Sequence, residues 1–177
     1  MDITTEHGRL TLHTAVAGAA ARMGHNLVIV IDDWSMSVEL AGAAPTSLAL
    51  RADLTSLRVE SGSGGVKPVG DGDRRTIRDN ALKSLHADRH PEITFVADTL
   101  TRESNDLHAT GTLTINGTSQ PLTATAALEE SADRVTARCT VPVRQSDFGV
   151  RPYSAMMGQL KVADEVQVSV EVTAPLP

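Results

Sequence analysis

The chain has 177 residues, a formal net charge of −6 and one cysteine, Cys139. That length suits a single domain, residues 1–177, with a substantial core. The acidic balance and lack of a basic stripe exclude nucleic acid as a natural partner and disfavour an anionic membrane surface, while the lone thiol excludes an intrachain disulfide.

The opening segment Met1–Glu6 has no basic stretch followed by an apolar run, and no run of about 18 apolar residues occurs. The expectation is a cytoplasmic protein with no stable membrane insertion. Arg9–Val16 alternates Leu10, Leu12 and Val16 against Thr11 and His13 and predicts a strand. Ala15–Met23, rich in alanine, reads as a short helix or an irregular crossing. Leu27–Ile31 is apolar on both faces, and Trp34–Leu40 puts Trp34, Met36, Val38 and Leu40 on one side. Pro45 closes a small-residue turn. Ser47–Val59 follows as a strand with Leu48, Leu50, Ala52 and Leu54 in phase.

Two segments break the β pattern. Ser61–Asp73, rich in Gly, Ser and Asp, reads as an exposed loop. From Arg74 to Ala87 the spacing turns helical, with Ile77, Ala81 and Leu85 four apart, Thr76 and Asp79 as a capping box, and His90-Pro91 as the stop. Strands resume at Ile93–Ala97, Leu107–Ile115, Leu122–Leu128, Val135–Val143 and Val166–Val172. Within them, Asn116-Gly117 supplies the positive φ angles of a tight hairpin turn. Many short strands at this spacing predict a barrel or a sandwich.

Four blocks in this order carry a resemblance. They are Gly24-His25-Asn26-Leu27; Arg78-Asp79-Asn80-Ala81-Leu82 leading to His90-Pro91-Glu92-Ile93-Thr94-Phe95; the hairpin from Gly111 to Pro121-Leu122; and Arg144–Gly149 followed by Ala163-Asp164-Glu165-Val166. Together they resemble the YceI-like lipid-binding (polyisoprenoid-binding) family. The resemblance implies a mainly β fold: an eight-stranded antiparallel lipocalin-like barrel with one helix-bearing excursion at about residues 74–87. It also implies an isoprenoid ligand, such as a polyprenol derivative or a quinone tail, held in the interior.

Aromatic residues make up only 2% of the chain, so a pocket here must be aliphatic, which suits a flexible hydrocarbon better than a flat ring. Each buried CH₂ gains roughly 0.8 kcal/mol, so a long prenyl group can bind such a bore without polar contacts. The inward candidates are Leu10, Leu12, Leu27, Ile29, Trp34, Met36, Leu50, Phe95, Leu113 and Val141. The plain alternative for each is that it packs the core, and a slip of one residue would exchange the whole set. At the mouth, His25 is a candidate for a structural hydrogen bond that fixes the turn, or for contact with a quinone or diphosphate head. Tyr153, with Arg151, is a candidate for head-group contact or a solvated loop, and Met156-Met157-Gly158 reads as a flexible apolar lip or an ordinary loop.

Catalysis and metal binding find no signal. No Ser lies in a Gly-x-Ser-x-Gly elbow, the glycine clusters lack the Gly-Lys-Ser/Thr of a phosphate loop, and Cys139 sits in an alternating strand. His86 and His90 are four apart, but His90 precedes a proline and no carboxylate or cysteine completes a ligand set. The sequence therefore predicts a non-enzymatic lipid binder with no cofactor beyond its bound lipid, acting as carrier, sequestering protein or sensor, with a homodimer open. The competing expectation is a filled barrel that binds a protein partner.

Overall fold

A computed structural model describes residues 1–176. Its strands are β1 (Asp2–Thr4), β2 (Gly8–Thr14), β3 (Val16–Ala17), β4 (His25–Ile31), β5 (Trp34–Ala41), β6 (Ala44–Asp53), β7 (Leu57–Gly64), β8 (Glu92–Glu103), β9 (Asp106–Ile115), β10 (Thr118–Glu130), β11 (Arg134–Arg144), β12 (Ser154–Ala155), β13 (Leu160–Val162) and β14 (Glu165–Pro175). The single α-helix, α1, spans Asp71–Ser84. Eleven strands form one antiparallel sheet in the order β1-β5-β6-β8-β9-β10-β11-β14-β2-β4-β7, and β12-β13-β3 form a small second sheet. The large sheet curls so that residues near both of its ends, Ile3 and Met36 on one side and Leu27 and Ile29 on the other, share one apolar core.

The sheet has eleven strands where eight were expected. Two local features account for most of the difference. The segment read as one strand from Ser47 to Val59 turns a corner at Leu54–Ser56, so β6 and β7 pair with different neighbours. Asp53 makes that corner: its carboxylate accepts from the Thr55 amide at 2.7 Å, and its carbonyl accepts from the Ser56 hydroxyl at 2.7 Å. The hydrogen bonds from Thr55 hold the Asp53 carboxyl below its ordinary pKa. Leu54, fully buried, plugs the inside of the bend. The N-terminal residues Asp2–Thr4 add an edge strand on β5 that has too few residues to show a period.

Hairpin chemistry behaves as the sequence predicts at Asn116-Gly117, where both residues have positive φ (51° and 69°) and Ile115 pairs Thr118 across the turn. The small-residue turn near Pro45 differs: Gly42, at φ 66°, makes the bend and Pro45 already belongs to β6. The alanine-rich crossing resolves into β3 and a single 3₁₀ turn at Ala21–Met23.

The helix begins three residues before the predicted start. Gly70 is its N-cap, and the Asp73 carboxylate accepts from the Gly70 amide at 3.0 Å, so Asp73 does the work assigned to Asp79. Thr76 instead bonds back to the Gly72 carbonyl at 3.2 Å. Asp71 and Asp73 in the first turn sit at the positive end of the helix dipole, which is why an acidic, glycine-rich stretch is helical here. The exposed loop is accordingly short, because β7 runs on to Gly64. Helix α1 lies along β7. Arg78 donates from Nε to the Leu57 carbonyl at 2.9 Å and from Nη2 to the Thr55 carbonyl, so the edge carbonyls there have partners. Its Ile77, Ala81 and Leu85 face packs on the core. No helix among the described residues is long and apolar enough to cross a membrane.

Candidate functional site

Directly paired residues of an antiparallel sheet share a face. Register therefore lines up Ile29, Leu12, Val168 and Val141 across β4, β2, β14 and β11 as one apolar belt. Leu50, Phe95 and Leu113 line up across β6, β8 and β9 as a second. Both belts line one cavity of about 390 Å³. That volume lies within the range of roughly 300–1,000 Å³ common to small-molecule sites. Helix α1 contributes Ile77, Asn80, Ala81, Ser84 and Leu85 to the wall.

Exposure along a single strand locates the void. In β14, Val166, Val168 and Val170 line the cavity and are only half-buried, whereas Val172 (6% exposed) and Ala174 (3%) are buried in the core. The inward-facing valines are exposed because their neighbours across the bore are missing. The cavity opens beside Met23, Tyr153 and Lys161, all exposed and all in its lining.

Segments at the mouth are tied down by specific polar contacts. His25 donates from Nε2 to the Lys67 carbonyl at 2.7 Å, anchoring the loop ahead of α1, and Gly65 approaches the His25 ring too closely for any Cβ. Asn26 accepts from the Val16 amide at 3.0 Å and so holds β3 to the rim. Asp164 accepts from the Ser146 amide and hydroxyl, and those bonds hold its carboxyl below the ordinary carboxylate range. Gln145, in the lining, donates to the Ala163 carbonyl at 2.9 Å. Near Leu85 and Phe148, His86 donates from Nδ1 to Asn116 Oδ1 at 3.0 Å, and Asn116 Nδ2 donates to the Phe148 carbonyl at 3.2 Å.

Of the residues singled out from sequence, Leu10, Leu12, His25, Leu27, Ile29, Leu50, Phe95, Leu113, Val141 and Tyr153 line the cavity. Three do not. Trp34 (2% exposed) and Met36 (8%) point inward as their alternation predicts, but they fill the core with Ile3 and Val38. Met156 is 47% exposed and lies outside the lining. Polar residues that were not singled out complete the site: Thr14, in phase with Leu10 and Leu12, and Asn80, Ser84, Gln145 and Lys161 all face it. Asn80 and Ser84 were legible in principle, being one position off the Ile77/Ala81/Leu85 stripe. Lys161 was not, because the pairing of β13 with β3 and β12 puts it there.

Cys139 lines the cavity, and burial pushes its thiol up, away from thiolate reactivity. His86 is engaged with Asn116, and the His90 ring lies over Gly117. Among the described residues, no group of three or more His, Cys, Asp or Glu side chains converges as a metal site would require.

No curated protein matches this chain. Solved structures do. The crystal structure of BcnA from Burkholderia cenocepacia superposes with a TM-score of 0.70 at 20% identity, covering 94% of this chain and 96% of that one. A YceI protein from Campylobacter jejuni gives 0.63 at 17% identity over 83% of each chain. At these identities the likeness speaks for the fold. The family model of the YceI-like domain matches residues 2–174, nearly the full length, so the chain belongs to the YceI-like family.

Proposed function

We propose that this protein binds an amphiphilic or isoprenoid lipid, such as a polyprenol derivative or a quinone tail, as a carrier, sequestering protein or sensor. The tail occupies the cavity between the two belts, and the head group stays at the mouth with Tyr153, Lys161 and the free Nδ1 face of His25. One observation carries the reading: inward-facing Leu12, Val141, Val166, Val168 and Val170 are left half-exposed by an unfilled, aliphatic bore. A packed core would bury them, as it buries Val172 on the same strand. An apolar cavity of this kind gains by being filled with hydrocarbon. We assign the site no catalytic step: of its polar groups, His25, Gln145 and Thr14 are each bonded to backbone, and the others are dispersed over an apolar wall.

Native mass spectrometry of the protein purified from its own host, with organic extraction, tests the reading. A stoichiometric long-chain amphiphile is the expected result. A clean apo mass, unchanged after incubation with prenols, quinones and fatty acids, overturns it. Cys139 offers a second readout on the unmodified protein, since a filled bore slows its labelling by a small thiol reagent.

A further inference from the structure

Among the described residues eight large hydrophobic side chains are exposed, and five of them, Met23, Val66, Tyr153, Met156 and Met157, gather round the mouth. Met23 and Tyr153 are in the cavity lining, and Val66 precedes the Lys67 carbonyl that His25 holds. Met156 and Met157 lie between Tyr153 and Leu160, two further lining residues, and the Gln159 carbonyl next to them accepts from Ala20 on the Met23 segment at 2.9 Å. Met157 is 100% exposed, and it follows Met156 in the left-handed region (φ 55° and 52°). Two consecutive non-glycine residues held there are strained, and neither side chain is buried in return.

Charge is distributed to match. Arg22, Arg151 and Lys161 border these apolar residues and form no ion pair among the described residues. Two acidic groups near the mouth are engaged, Asp73 with Gly70 and Lys67 and Asp164 with Ser146. Hairpin tips at the opposite end carry an excess of acids, with Glu39, Glu103, Asp106 and Asp133 beside Glu129 and Glu130, which pair with Arg138 and Arg102. The net charge of −6 therefore conceals a polarity along the bore, with free cations at the mouth and acids at the far end.

We propose that the mouth rim is a docking surface for a phospholipid bilayer bearing anionic head groups. Met23, Met156, Met157 and Val66 enter the acyl boundary, and Arg22, Arg151 and Lys161 meet the phosphates. The acidic far end orients the approach, so the cavity faces the bilayer and lipid passes between them without crossing water. The proposal rests on the lipid-binding reading for its purpose, not for its geometry.

The test floats the full chain with vesicles of phosphatidylcholine alone or of equal parts phosphatidylcholine and phosphatidylglycerol. It measures, in parallel, uptake of a prenol added from ethanol, followed by Cys139 labelling. Wild type is expected to float with the mixed vesicles, and added salt is expected to weaken that binding. Met157→Asp and Val66→Asp, neither in the cavity lining, are each expected to weaken it about tenfold. Arg22→Glu is expected to weaken it about fivefold on mixed vesicles and leave phosphatidylcholine binding unchanged. All three are expected to take up the prenol from solution as wild type does. A wild type that loads from ethanol yet floats with neither vesicle overturns the rim proposal, as does a Met157→Asp variant that floats like wild type. A concentration-dependent dimer that Met157→Asp dissolves also overturns it, by showing that a second copy covers the rim. Failure to load from ethanol counts against the cavity's function, and flotation still decides the rim.

Discussion

The two halves of the bore are built from the same strands and the same residue types, yet one is packed and the other is empty. In the packed half, Ile3, Trp34, Met36, Val38, Val172 and Ala174 interlock, each below a tenth exposed. In the open half, Leu12, Val141, Val166 and Val168 stand side by side on one wall of the cavity, half-exposed to it. The difference is in what reaches the axis. The packed half receives Trp34, the largest side chain in the protein, together with strand β1. The open half receives mainly aliphatic side chains from the strands, with Phe95 on one wall, and the Ile77/Ala81/Leu85 face of a helix that lies at the wall. A wide curled sheet lined by small aliphatic residues stays hollow unless an added element plugs it. Packed core and cavity are thus divided along the length of the same strands.

That division is breakable. The largest effect on folding is expected from Trp34→Ala, which removes the plug of the packed half and costs about 3–5 kcal/mol. Denaturant titration reads it, and the folded fraction still binds one lipid. If Trp34→Ala abolishes binding in protein that remains folded, the two halves are not independent. Asn116→Ala is expected to cost about 1–2 kcal/mol, because it strips the bonds to His86 and the Phe148 carbonyl and leaves a left-handed turn residue without its amide. Val168→Phe is the converse of Trp34→Ala: it fills the void, so its stability changes by less than about 1 kcal/mol while lipid binding is lost. Native mass spectrometry and thermal melting separate the two outcomes, and a destabilised variant with normal binding would show that Val168 does not face the bore.

The smallest effect is pH-dependent. Asp164 titrates below its ordinary value in the folded protein because Ser146 donates to it twice. A carboxyl with a lowered folded pKa stabilises fully above its unfolded value, near 3.9, and loses that contribution as pH falls through the folded one. The melting-temperature gap between wild type and Asp164→Asn is therefore expected to be constant at neutral pH and to close below about pH 4. A gap that persists at lower pH would show that Asp164→Asn acts through packing and not through charge.

Much of the architecture was written in local pattern. Alternation in Trp34–Leu40 placed Trp34, Met36 and Val38 on the inner face, and Asn116-Gly117 fixed both the turn and the register of β9 with β10. What alternation cannot encode is depth along the bore. Met36 and Leu12 carry the same inward signal, but one is in the plug and the other on the cavity wall. The corner at Leu54–Ser56 did leave a trace in the pattern, because the apolar phase passes there from Leu48, Leu50, Ala52 and Leu54 to Leu57 and Val59, one position out of step. The helix start slipped by three residues because the apolar stripe begins at Ile77, well after the Gly70/Asp73 cap.

By itself the sequence determined an aliphatic, antiparallel, one-helix molecule with one dry face to its strands, because composition and period are local properties. The tertiary structure alone decided that one half of that dry face meets a tryptophan and the other half meets nothing. It also brought Lys161, Tyr153 and Met23, distant in the chain, to a common rim. Packing density depends on which elements converge at a point in space, and that convergence is set by the curl of the sheet and the docking of β3, β12 and β13, which no window of sequence contains.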